Sequence, residues 1–118
     1  MKTVKTSELT GRALDWAVAK ADGRGVKINE LGYVFVCDNR SIGVYSPSTD
    51  WAKCGQLIDT HLIELNNQVI SENEVEHWAT CMDEYIYGST ALEAACRIVV
   101  HVKLGDEVEI PDELVEGV

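Results

Sequence analysis

Thr90-Ala91-Leu92-Glu93 opens a helix that has to be covered by the rest of the chain. A hydroxyl at the cap and a carboxylate three residues on each satisfy a free amide, the pairing known as a capping box. The run from Ala91 to Val102 then carries Leu92, Ala95, Cys96, Ile98, Val99 and Val102, which fall on more than one face. A helix apolar on several faces is normally buried. Gly105 closes it, and Glu107 to Ile110 can add a short edge strand before Pro111 stops it.

The remaining elements are read as the cover. Ser7-Glu8-Leu9-Thr10 is expected to open a first helix, with Thr6 or Ser7 as its cap. Leu9, Ala13, Ala17 and Ala21 form its apolar stripe, Leu14 and Val18 widen it, Trp16 sits at its edge, and Gly23 and Gly25 end it. Val26 to Ile28 is a short extended piece, and Gly32 to Cys37 is β-branched and aromatic enough for a strand. Asp38-Asn39-Arg40-Ser41 reads as a turn, with Ile42 to Tyr45 returning as the second arm. After Pro47, Ser48 or Thr49 is expected to cap a helix through Trp51, Cys54, Leu57 and Ile58. His61 to Leu65 reads as a weak strand, Asn66 to Glu74 as a polar loop, and Val75 to Tyr87 as strand over its first half. The fold class is therefore α+β: a small antiparallel sheet with about three helices packed on it, in a single domain spanning residues 1–118.

Charge narrows the partners. Twenty acidic residues against ten basic ones, a net charge of −10, oppose direct nucleic-acid binding, which needs clustered Lys and Arg. The same balance suits a solvated surface or a basic partner. The acidic C-terminal tail, 106–118, carries Asp106, Glu107, Glu109, Asp112, Glu113 and Glu116 with no basic residue, and reads as a solvated end or a docking tail. Cys37, Cys54, Cys81 and Cys96 lack the short spacings of metal knuckles or redox pairs, and His61, His77 and His101 are as scattered. No metal and no cofactor are expected, and the thiols are read as reduced. Met1 to Lys5 leads into polar residues rather than an apolar h-region, and no apolar run approaches the roughly 20 residues of a membrane span. The expectation is a cytoplasmic protein without a membrane partner.

Two helix starts stand out as candidate ligand sites. In the first, Ser46, Ser48, Thr49 and Asp50 supply hydroxyls and a carboxylate between the flat faces of Tyr45 and Trp51. Ser48 and Thr49, with backbone amides, can hold a phosphate. Tyr45, Trp51 or Trp78 can stack a base, and Asp50 can accept from ribose hydroxyls. The plainer alternative is that Pro47 turns the chain, Ser48 caps, and Trp51 joins the core. The second start is Ser89 and Thr90 after Gly88, with an ordinary capping box as its plain alternative. Arg97 is odd on an apolar helix, because a buried guanidinium needs a carboxylate or phosphate partner; otherwise it lies on the wet edge. Arg40, in the turn, is either solvated or in reach of a phosphate. No catalytic triad, paired-carboxylate metal spacing or glycine-rich phosphate loop is present, so no catalytic residues are expected. His77 beside Glu76 is the one acid–base candidate.

Several stretches together resemble the NinX-like family of tailed-phage accessory proteins: Ser7 to Gly11 with Ala13 to Trp16, Tyr45 to Trp51, Gly88 to Arg97, and Leu104 to Leu114. Departures from the pattern fall at Cys54-Gly55-Gln56 and at Gly88-Ser89-Thr90. The resemblance implies a phage gene expressed inside a bacterium, among accessory and counter-defence genes, and it implies no established activity. Combined with the two hydroxyl-bearing helix starts, it leads to the expectation of a counter-defence protein that sequesters a small nucleotide-type host signal without turnover. A homo-oligomer is expected, with Trp16, Trp51 or Trp78 in an interface. The alternative is an acidic modulator that blocks a basic host protein surface, and a third reading is a small nucleotide hydrolase.

Overall fold

The computed structural model describes residues 1–115; Glu116, the last acid of the tail, lies outside the described residues. The buried helix is α3, Ala91–Leu104, with Leu92, Ala94, Ala95, Cys96, Ile98, Val99 and Val100 all in the core. It packs against two helices, α1 (Gly11–Ala21) and α2 (Trp51–His61), and against strands β6 (Glu74–Cys81) and β7 (Glu84–Gly88). Burying one side chain such as Ile98 is worth about 1.5–3 kcal/mol, and α3 supplies seven of the buried core side chains, with α1 next.

The fold is α+β, with the strands divided over three small antiparallel sheets. β1 (Lys2–Lys5) pairs with β8 (Glu107–Ile110) and joins the two ends of the chain. β2 (Val26–Ile28), β3 (Val34–Cys37) and β4 (Ile42–Val44) form a meander with Phe35 opposite Val44. β5 (Glu64–Ser71), β6 and β7 form the longest sheet, in the order β5-β6-β7, with a bulge between Val69 and Ser71. A short α4, Asp112–Val115, tucks Leu114 into the core.

Several boundaries differ from expectation for identifiable reasons. Thr6–Glu8 is a 3₁₀ turn, and α1 starts only after Thr10, whose side chain makes no capping bond. Thr6 does not cap this helix; its Oγ1 donates to the Gly105 carbonyl at 2.6 Å and fastens the chain start to the end of α3. Asn66 to Ser71, polar and read as loop, is strand, because β6 pairs with its backbone whatever its side chains are. The tail is not a free end over its described part, since β8 pairs with β1 and α4 follows. Gly88 is required at the β7–α3 junction: a Cβ there would lie 2.4 Å from the Ala94 nitrogen. Among the described residues, no helix is long and apolar enough to cross a membrane.

Candidate functional site

The β3–β4 turn is organised by one carboxylate. Asp38 accepts from the backbone amides of Gly25, Arg40 and Ser41, and from Arg24 through Nε at 2.8 Å and Nη2 at 3.1 Å. The Arg24 guanidinium, and then the Gly25 amide, hold its carboxyl well below the usual range. Arg24 also donates to Ser41 Oγ at 2.6 Å, and its Cζ lies 5.5 Å from the centre of the Tyr45 ring. Gly23, with φ of 70°, turns the chain out of α1 so that Asp22 and Arg24 project towards this turn. Asp22 then receives Arg40, through its carbonyl at 2.8 Å, and His61 Nε2 at 3.1 Å from its carboxylate.

These groups wall a cavity of about 210 Å³ lined by Asp22, Arg24, Arg40, Ser41, Tyr45, Lys53, Gln56, Leu57 and Thr60. The lining positions of α2 recur at three and four residues, which puts them on one helix face. Three of the ten basic residues of the chain thus meet in one place. Among the described residues no carboxylate pairs with Lys53, whereas Arg24 and Arg40 are paired with Asp38 and Asp22. One net positive charge remains.

Of the ten residues singled out from sequence, Tyr45 lines this cavity, 5% exposed, with its ring beneath Arg24 rather than open for stacking. Ser46 and Thr49 close the turn before α2, where the Thr49 amide donates to the Ser46 carbonyl. Neither Ser48 nor Thr49 caps α2. Asp50 does, its Oδ1 accepting from the amides of Ala52 at 2.9 Å and Lys53 at 3.4 Å, so an internal carboxylate holds the amides expected to meet a phosphate. Ser48 is buried, and its amide donates to Asp15 at 2.9 Å. Trp51 is not core; it is 60% exposed, and at two residues from Lys53 it falls on the far side of α2 from the cavity.

The second helix start is a variant of the expected box. Thr90 Oγ1 accepts from the Glu93 amide, while the Glu93 carboxylate takes the amide and hydroxyl of Ser89 rather than of the cap itself. Ser89 and Thr90 sit at the β7–α3 junction and do not line the cavity. Arg97 is a brace: it donates to the carbonyls of Leu9 and Tyr87, each at 2.9 Å, and pairs with Glu93 at 3.1 Å. Trp78 lies on β6, its ring 5.9 Å from that of Tyr87. Arg24, Lys53, Gln56 and Thr60 were missed, although the scarcity of basic residues was a signal to ask where they gather. Among the described residues, no group of three His, Cys, Asp or Glu side chains is placed to hold a metal ion.

Residues 5–103 match the family described as Bacteriophage P22, NinX. The chain belongs to that family. Within the match lie α1, the cavity, the whole β5-β6-β7 sheet and nearly all of α3, so the family pattern covers both the buried helix and the cluster around Arg24 and Lys53. No curated protein matches the chain.

Proposed function

We propose that this NinX-family protein is a phage accessory protein that binds a small phosphate-bearing, nucleotide-type host metabolite or signal in the bacterial cytosol. It holds that ligand without turnover, in the cavity beneath the β3–β4 turn. The observation that carries this reading is the convergence of Arg24, Arg40 and Lys53 on one cavity in a chain with twice as many acidic as basic residues. Lys53 supplies the ammonium for a phosphate oxygen, Arg40 swings from Asp22 to fork a second, and Ser41, Gln56 and Thr60 offer polar contacts at the rim. At about 210 Å³ the cavity is smaller than the range of about 300–1,000 Å³ common for drug-sized ligands. It therefore suits the phosphate end of a nucleotide, leaving the base outside or against a second copy of the chain.

Calorimetry with inorganic phosphate and a panel of mono- and cyclic nucleotides tests this. At least one nucleotide is expected to bind intact, and Lys53→Ala and Arg40→Ala are each expected to weaken it about 10- to 100-fold, the worth of a charge-assisted hydrogen bond. Unchanged affinity in both folded variants sinks the site. Product accumulating with time would replace sequestration with hydrolysis.

A further inference from the structure

The β5-β6-β7 sheet covers α3 with one face only. Side chains alternate along each strand, and in β6 the buried Ala79 and Cys81 point to the helix. Glu76, Trp78 and Thr80 therefore point the other way, as do Glu64 and Asn66 opposite them on β5 and Tyr85 and Tyr87 on β7. On this outer face Trp78 and Tyr87 have ring centres 5.9 Å apart, and Tyr85 meets Tyr87 edge-on at 6.0 Å. Tyr85 is 62% and Tyr87 47% exposed, so the rings form a ledge open to solvent. Burial and the neighbouring Glu76 carboxylate both push the Tyr87 phenol up.

The charge around this ledge is predominantly negative. Residues 1–53 hold eight Lys and Arg against six Asp and Glu, while residues 54–118 hold two against fourteen. Between Lys53 and Arg97 there is no basic residue at all, so none of the three strands carries one. Lys5 reaches the β7 edge, where it shares a cavity with Tyr85, but Asp106 and Glu107 line the same cavity.

We propose that the outer face of the β5-β6-β7 sheet is a docking surface for an arginine-rich segment of another protein, whose guanidinium groups lie over Trp78, Tyr85 and Tyr87 and pair with Glu64 and Glu76. Charge complementarity selects this occupant. Phosphate-bearing polymers and anionic lipid surfaces are repelled by these carboxylates, and no cluster of three ligands holds a metal ion among the described residues. Arginine is preferred to lysine because its planar guanidinium stacks on aromatic faces and forks onto carboxylates. The surface lies outside the cavity of Arg24 and Lys53 and does not depend on it.

Fluorescence anisotropy with a labelled oligo-arginine peptide tests the proposal on the full-length protein. The peptide is expected to bind, more weakly as salt rises. Tyr85→Thr with Tyr87→Thr keeps the net charge and strand propensity, and is expected to weaken binding about tenfold through the lost cation–π contacts. Glu64→Gln with Glu76→Gln should weaken it severalfold, whereas Glu109→Gln with Glu113→Gln, the same charge change on β8 and α4, should change it less than about twofold. Arg40→Ala and Lys53→Ala should leave peptide binding intact, which separates this result from the fate of the cavity. If the tyrosine variant, shown folded by circular dichroism, binds as the wild type does, or the two glutamine pairs act equally, binding follows net charge and the proposal is overturned. It is also overturned if the peptide does not bind; a dimer that the tyrosine variant dissociates would then make the face a self-interface.

Discussion

Asp15 lies in the core on α1, accepting the Ser48 amide at 2.9 Å, and burial pushes its carboxyl up to about 6 against the opposing pull of Ser48. It ties the loop before α2 to α1, and in doing so places a carboxylate where charge is costly. The folded chain holds this proton more tightly than the unfolded chain, whose ordinary value is 3.8. The stability it contributes is therefore fully present below that value and is lost as pH rises through about 6. A shift of about two units corresponds to about 3 kcal/mol. Asp15→Asn keeps an acceptor for the Ser48 amide and removes the charge. Urea unfolding should show the variant about 1–3 kcal/mol more stable than wild type near pH 8, with the gain vanishing near pH 4. A variant less stable at both pH values would mean that the ionised carboxylate, not merely an acceptor, holds the loop.

At the scale of elements, the end of α2 contains a local conflict. Leu62 takes a left-handed conformation with φ of 54° while 83% exposed, so it carries the backbone cost without the benefit of burial. A non-glycine residue pays about 1–2 kcal/mol in this region, partly offset in Leu62→Gly by the greater freedom glycine has when unfolded. The variant should melt a few degrees higher, with about 0.5–1 kcal/mol more stability; a lower melting temperature would show that Leu62 contributes packing. The helix α3 was legible because its apolar spacing and its capping Thr90 are local signals. The helix α1 was legible from spacing alone, with Leu9, Ala13 and Ala17 fully buried or nearly so, but its start was misplaced because Thr6 and Ser7 do not cap it. What was not legible is what depends on a distant partner. Lys2–Lys5 becomes a strand because β8 pairs with it from the other end of the chain, and Asn66–Ser71 because β6 lies alongside. The same holds for the candidate site. Tyr45 and Arg40 could be picked out from their neighbours in sequence, but Arg24 and Lys53 reach them only once Gly23 turns the chain and α2 packs beneath the turn. Asp50 displaced Ser48 and Thr49 as the cap because its carboxylate reaches two amides at once.

Over the whole molecule, the division of charge sets two tendencies against each other. Residues 54–118 carry fourteen acids and two bases in a body 42 × 29 × 24 Å across, so unlike-charge relief is scarce throughout the second half. The described ion pairs made by Lys, Arg and the N-terminus are local: Arg24 with Asp38 and Arg40 with Asp22 lie in the first half, and only Arg97 with Glu93 and Met1 with Asp112, where the chain ends meet, engage acids of the second. Arg24 with Asp38 and Arg97 with Glu93 are largely shielded from solvent, so salt screens them less than it screens exposed charges, while the exposed Met1–Asp112 pair is worth only about 0–1 kcal/mol. Repulsion among acids spread over the sheet and the β1–β8 end acts over longer distances. Raising salt from about 0.01 M to about 0.1 M shortens the Debye length from about 30 Å to about 10 Å, from the size of the molecule to the spacing of neighbouring side chains. Thermal melts in sodium chloride should therefore show the melting temperature rising over this range, most steeply at its low end. The Glu64→Gln, Glu76→Gln pair should melt higher than wild type at low salt and converge with it at high salt, because the charges it removes are those that screening neutralises. A melting temperature that falls as salt is added would instead put the stability of the fold in the ion pairs around Asp22 and Asp38, and the cavity would then be the electrostatic keystone rather than the place where charge is left over.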